Sequence, residues 1–213
     1  RLYDENGQKK NRRLKRLKYV SIRRHFINFL TKAKLPLENL HITVDKEILY
    51  LTQSDFKAFF ASLPELKSLH LGVSYVNPEF FEALANAQLE AFTVCFTRMS
   101  EEYKDMLSKL TLGLAPSYMS LKQFGFEVKL WENKNGIPKS SIPVDLFRSL
   151  GDLIAQFTSL TSLRLWSYLV ACTKMQVMFE KLTHIKSLKS LDLYLSIAGS
   201  QYAEVEAFSR FSG

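Results

Sequence analysis

LKSLHLGV at residues 66–73, LTSLRLWS at residues 160–167 and LKSLDLYL at residues 188–195 are three spellings of one phrase. The template is L-x-x-L-x-L with another apolar residue two places further on. It recurs as Leu37, Leu40, Ile42, Val44; as Leu66, Leu69, Leu71, Val73; as Leu89, Phe92, Val94, Phe96; as Leu121, Phe124, Phe126, Val128; as Leu160, Leu163, Leu165; and as Leu188, Leu191, Leu193, Leu195. The fifth copy departs only at its last place, where Ser167 stands, and a weaker copy opens the series with Leu14, Leu17 and Tyr19. Apolar residues at the fourth, sixth and eighth places give the period of two that a strand with one buried face requires. Each copy therefore predicts a short β-strand.

The copies start 23, 29, 23, 32, 39 and 28 residues apart, and the intervals carry helix signals. Asn77-Pro78 before EFFEALA supplies a cap and a proline at the first helical position. Ser54 before DFKAFFASL, Ser100 before EEYKDMLSKL and Thr173 before KMQVMFEKLTHI predict further helix starts, and segments 24–33, 144–157 and 201–210 are also helix-like. A strand, helix, strand rhythm admits a doubly wound sheet as well as a solenoid. Strands of a doubly wound sheet lie in different surroundings and have no reason to share a phrase, whereas stacked repeats give every strand the same neighbours. The expected fold is thus α/β, a solenoid with parallel strands on one face and helices on the other.

On these residues the chain resembles the leucine-rich repeat family, in particular the ribonuclease-inhibitor-like subclass, over roughly residues 14–210. The resemblance implies a horseshoe with strands on the concave face, helices on the convex face, and a concave surface that binds another protein. The family's Asn or Cys at the ninth place is here Asp45, Ser74, Thr97, Lys129, Tyr168 and Ser196, so irregular turns and variable curvature are expected. The domain reading is a basic segment over 1–13, then one repeat domain of six to seven repeats over 14–213. A loop insertion over 129–143 is marked by Asn135-Gly136, Pro138 and Pro143, with Trp131 as a possible anchor and Lys134 and Lys139 at its tip.

The 213 residues carry 29 Lys and Arg against 21 Asp and Glu, a net of +8. The excess is local. Residues 1–34 hold twelve cations against Asp4 and Glu5, so the remainder of the chain is slightly acidic. Lys9, Lys10, Arg12, Arg13, Lys15, Arg16 and Lys18 form one run, a candidate anion-binding segment. It fits the solvated edge of the first repeat, a nuclear localisation patch, a contact with nucleic-acid phosphate, or docking to an acidic protein surface. Tyr19 is the one aromatic near it, too few for base stacking. With 16 Phe, 9 Tyr and 2 Trp a packed core is required. No membrane span and no secretory signal is expected, and two cysteines, Cys95 and Cys172, outside any CxxC spacing argue for a reducing compartment, cytoplasmic or nuclear. A secreted bacterial effector is compatible with the same repeats.

Residues at the third, fifth and seventh places should point to the open side of the sheet. The fifth place reads Lys18, His41, His70, Thr93, Gly125, Arg164, Asp192, and the seventh Val20, Thr43, Gly72, Cys95, Glu127, Trp166, Tyr194. Arg164, Trp166, Tyr168, Asp192 and Tyr194, with His41, His70 and Glu127, are the candidate partner-binding residues, because Trp, Tyr and Arg dominate interface energetics. Trp166 serves equally well to stiffen the last repeats. His41 and His70 should lie about 5 Å apart on neighbouring strands. Zinc needs a third ligand and Thr93 comes next, so the pair reads as two surface histidines and no metal is expected. Cys95 has no histidine partner for nucleophilic catalysis. GxGxxG, GxxxxGK[ST], HExxH and GxSxG are absent. The expected function is a non-catalytic protein-interaction scaffold or assembly subunit, with no cofactor. The alternatives are an RNA- or DNA-associated subunit using the basic segment and, below it, a GTPase-activating horseshoe with Arg164 as its finger or a ligase substrate receptor.

Overall fold

The computed structural model describes residues 15–22, 24–33, 35–44, 51–74, 78–99, 103–129, 143–167 and 172–195. Tyr168, the segment 130–142, the predicted helix 201–210 and Lys9, Lys10, Arg12 and Arg13 lie outside the described residues. In chain order the elements are β1 (Arg16–Ile22), α1 (Arg24–Ala33), β2 (Asn39–Val44), α2 (Gln53–Ala61), β3 (Ser68–Val73), α3 (Pro78–Ala83), β4 (Ala91–Phe96), α4 (Tyr103–Leu114), β5 (Gln123–Val128), α5 (Val144–Ile154), β6 (Ser162–Ser167), α6 (Cys172–Leu182) and β7 (Ser190–Leu195). Among the described residues these make one sheet of seven parallel strands, in the order β1-β2-β3-β4-β5-β6-β7, with six α-helices. Each strand pairs with its successor and the order never reverses. A doubly wound sheet needs such a reversal and covers both faces. Neither holds here, and the arrangement is compatible with a solenoid.

From β2 to β7 the repeat phase is the strand register. His41 lies opposite His70, His70 opposite Thr93, Thr93 opposite Gly125, Gly125 opposite Arg164 and Arg164 opposite Asp192. The first copy breaks phase. Leu17 pairs with Leu40, but Val20 pairs with Ile42 and Ser21 with Thr43. One extra residue in β1 moves Val20 from the expected seventh place to the sixth, as a bulge does.

Leu40, Ile42 and Val44, with the equivalent residues of β3 to β5, are buried. Burying each Leu or Phe side chain contributes roughly 1.5–3 kcal/mol before chain entropy is charged against it. Phenylalanines link the repeats across this core. Phe56 and Phe60 meet Phe80 edge-on at 5.1 and 5.4 Å, Phe81 follows, and Phe96 and Phe126 continue the line into β5. A second line runs from Phe92 through Phe124 to Phe157 and Tyr118.

The strand entries are held by a backbone device that repeats. The carbonyl of the second-place residue accepts two N–H groups from the next repeat. Lys15 accepts from Glu38 and Asn39, Glu38 from Lys67 and Ser68, Lys67 from Glu90 and Ala91, Glu90 from Lys122 and Gln123, Lys122 from Thr161 and Ser162, and Thr161 from Lys189 and Ser190. Hydroxyls finish the neighbouring turns: buried Ser117 accepts from the Leu89 N–H at 2.8 Å, and Ser120 donates to the Leu89 carbonyl. At the strand exits the amides of Ser74, Thr97 and Lys129 donate to the carbonyls of Val44, Val73 and Phe96. At these three places the main chain extends the ladder one step without an asparagine side chain; residues 75–77, 100–102 and 130–142, which continue the turns, lie outside the described residues.

Helix starts differ in detail from expectation. Pro78 opens α3 as predicted. The cap of α2 is Thr52 rather than Ser54, because Thr52 and Asp55 form a reciprocal capping box that Ser54, with Lys57 three places on, cannot make. Thr173 lies inside α6, which begins at Cys172. TLGL at 111–114 completes α4, and Ala115–Ser117 is a 3-10 turn.

Candidate functional site

Because the strands keep register, their open-face side chains form rows across the sheet, and chemistry is grouped by which repeat supplies it. At the β6–β7 end, Arg164 Nε donates to Asp192 Oδ2 at 2.9 Å, and the guanidinium carbon lies 5.1 Å from the centroid of the Trp166 ring. Trp166 packs against Tyr194 with centroids 5.9 Å apart. Asp192 thus aims the guanidinium and Trp166 supports it from below. Tyr194 is 48% exposed, so the cluster offers solvent an aromatic ring and an ion pair side by side. Trp166 Nε1 is buried and finds no hydrogen-bond acceptor among the described residues.

Glu127, predicted as a binding residue, faces Cys95 and Lys129 more than solvent. Its carboxylate lies 3.9 Å from the Lys129 ammonium. Burial, and then the charge of Glu127, push the Cys95 thiol up to about 11, so Cys95 is a protonated thiol near neutral pH and a poor nucleophile.

The middle of the open face is shallow and small-residued. Cys95 and Gly125 are shut from water there, and a Cβ on Gly125 would stand 2.8 Å from Thr93. Beyond this trough, His41 and His70 stack with ring centroids 3.9 Å apart and 35° between planes. Burial, and then the neighbouring His41, Arg164 charges, lower His70 to about 4, while burial and the Lys18 ammonium lower His41. Lys15, just before β1, and Arg16 and Lys18 on it are exposed, and Lys15 is engaged by Glu38 at 2.6 Å. Among the described residues no group of three or more His, Cys, Asp or Glu could hold a metal ion, and no helix is long and apolar enough to cross a membrane.

Two features escape a reading of the open face alone. Side chains at the second place alternate in sign along one edge. Lys15 meets Glu38, and Glu90 stands between Lys67 at 3.8 Å and Lys122 at 2.8 Å. The signal was present as the residue after each leading leucine, ending at Thr161. The second feature is a groove of about 760 Å³ on the helical side, between α4 and α5, lined by Leu107, Thr111, Asp145, Arg148 and Asp152 among others. Its α5 wall falls in the longest interval between copies. Asp145 crosses the groove to Lys104 of α4 and pairs with Arg148 one turn along its own helix, and both signs of charge line it.

Compared with known proteins, the chain matches no family model and no curated sequence.

Proposed function

We propose that the chain is a divergent leucine-rich repeat horseshoe of the ribonuclease-inhibitor-like subclass, and that it is a non-catalytic protein-interaction scaffold or assembly subunit. Its partner is held on the open sheet face, centred on Arg164, Trp166, Asp192 and Tyr194. The observation that carries this reading is the ordered cluster itself: an aromatic pair, a guanidinium fixed over one ring by a carboxylate, and a second ring half in solvent. Large rings with few rotatable bonds bind at low entropic cost, and Arg, Trp and Tyr are the residues on which interface energy concentrates. Six copies of one phrase, each leading into a strand of a single-direction sheet, support the repeat assignment. An arginine-finger role is disfavoured because Arg164 is already committed to Asp192 and to Trp166.

The test is the double variant Trp166→Ala, Tyr194→Ala, checked for an unchanged circular dichroism spectrum and used as bait beside the native chain in extracts of the source cells. Loss of a defined partner is expected, with affinity reduced on the order of 30-fold as for two centrally placed aromatic residues. A folded double variant that retains the same partners at the same yield overturns the reading.

A further inference from the structure

Met119 stands on the turn that leads into β5, and three hydrogen bonds knit that turn to the corresponding one before β6. The Thr158 N–H donates to the Tyr118 carbonyl at 3.2 Å, the Ser159 hydroxyl to the Met119 carbonyl at 2.7 Å, and the Thr158 hydroxyl to Met119 Sδ at 3.2 Å. The Met119 side chain is nonetheless open to water, at 73% exposure, whereas Met99, Met106 and Met178 are buried. Of these four, only Met119 offers its sulfur to a dissolved oxidant.

Exposure decides which sulfur a peroxide reaches, and the Thr158 hydroxyl decides from which side. A thioether sulfur is a weak acceptor with a lone pair on each side of its C–S–C plane. The hydroxyl engages one lone pair and lies across that side. The other lone pair is left to react.

We propose that Met119 is a site of reversible oxidation by hydrogen peroxide, and that its sulfoxide forms predominantly as one epimer, with the new oxygen on the side away from Thr158. The free lone pair attacks one peroxide oxygen, an S–O bond forms and the O–O bond breaks. The departing hydroxide takes the proton of the transferred oxygen and leaves as water, so sulfur loses the two electrons that the peroxide gains. Different reductases restore the two sulfoxide epimers, so the same geometry selects which of them can reverse the change. The fold tolerates it. The carbonyls of Tyr118 and Met119 keep their bonds and an exposed S–O dipole is hydrated, whereas a sulfoxide at Met106 or Met178 would bury an unpaired dipole in the core. The inference is independent of what the open sheet binds.

The experiment is mild peroxide treatment of the full chain, digestion, and mass spectrometry that localises each added oxygen, followed by treatment of the Met119 peptide with each epimer-specific reductase. Met119 should gain oxygen at least about tenfold faster than Met99, Met106 or Met178, and one reductase should remove about four-fifths of it. Thr158→Val keeps the backbone bond and removes the hydroxyl, and should bring the two epimers to about equal amounts, while Thr158→Ser should retain the bias. A chain oxidised at Met119 alone should melt at the temperature of the untreated chain. Oxidation of Met119 no faster than of the buried methionines overturns the site. Equal epimers in the native chain, or a bias that survives Thr158→Val, overturn the role of the hydroxyl. A lowered melting temperature overturns the tolerance of the fold.

Discussion

A methyl group placed on Gly113 would lie 1.8 Å from the carbonyl oxygen of Phe81. The glycine sits in the last turn of α4 where that helix crosses α3, and the obstacle is backbone, which cannot swing aside. Helix propensity alone would favour alanine there by about 1 kcal/mol. Forcing α3 and α4 apart costs more, about 1–3 kcal/mol, and it disturbs the Phe80 and Phe81 contacts on which two repeats depend. Gly113→Ala should therefore lower stability in urea or thermal unfolding despite its better propensity. A variant as stable as the native chain would show that α4 shifts freely and that the close approach carries no constraint.

How far the sequence could be read follows from what kind of physics each feature obeys. The apolar phase specified every strand from β2 to β7, because burial of alternate residues repeats with the chain and needs no knowledge of distant contacts. It failed at Val20, since the extra residue in β1 is a property of how that strand pairs with β2, and nothing in Leu14, Leu17 and Tyr19 announces it. Ser54 differs from the cap because Thr52 stands two places earlier and only the reciprocal bond from Asp55 selects it, and Thr173 falls one residue inside α6. Within the open face, the row containing Arg164 and Asp192 and the row containing Trp166 and Tyr194 were legible as register.

The one gap in the apolar phase predicts a stabilising substitution. Ser167 stands at the eighth place of its copy, is 7% exposed, and its hydroxyl meets no hydrogen-bond partner among the described residues. Its opposite number on β5 is Val128. Removing an unsatisfied buried hydroxyl without adding volume should raise stability by about 1 kcal/mol. Ser167→Ala is expected to shift the denaturant midpoint upward at unchanged slope, and a downward shift would mean that the hydroxyl is satisfied in the folded chain.

The charge alternation along the strand entries should be visible through salt. Glu90 lies between Lys67 and Lys122, and its carboxyl is held below the usual range first by the hydrogen bond from Lys122. Glu90→Lys would set three cations side by side on neighbouring repeats. All are exposed, so the expected loss of melting temperature is small, is greatest at low ionic strength, and fades on the order of 0.5 M salt, where the screening length is a few ångströms. A loss that persists undiminished in salt would point to packing instead of charge.

The histidine pair gives the fold a dependence on pH whose sign is fixed by the direction of the shifts. His70 is lowered from 6.5 to about 4, and His41 is lowered as well. Between these values the unfolded chain binds a proton that the folded chain refuses, so the stabilising contribution is complete above about pH 6.5 and is lost as pH falls toward 4. The His70 ring is only partly buried, which reduces the effect to about 1 kcal/mol, well below what the full shift would imply. The carboxyls of Glu38, Glu82 and Glu90 are held below their ordinary 4.5 by Lys15, Lys109 and Lys122 respectively. Their protonation therefore enters only at the acid end, leaving the interval from about pH 6.5 to about pH 5 to the imidazoles. Melting temperature should decline across that interval in the native chain and stay nearly level in the double variant His41→Gln, His70→Gln. Equal declines in both would assign the pH dependence to other groups and remove the stacked pair as its source.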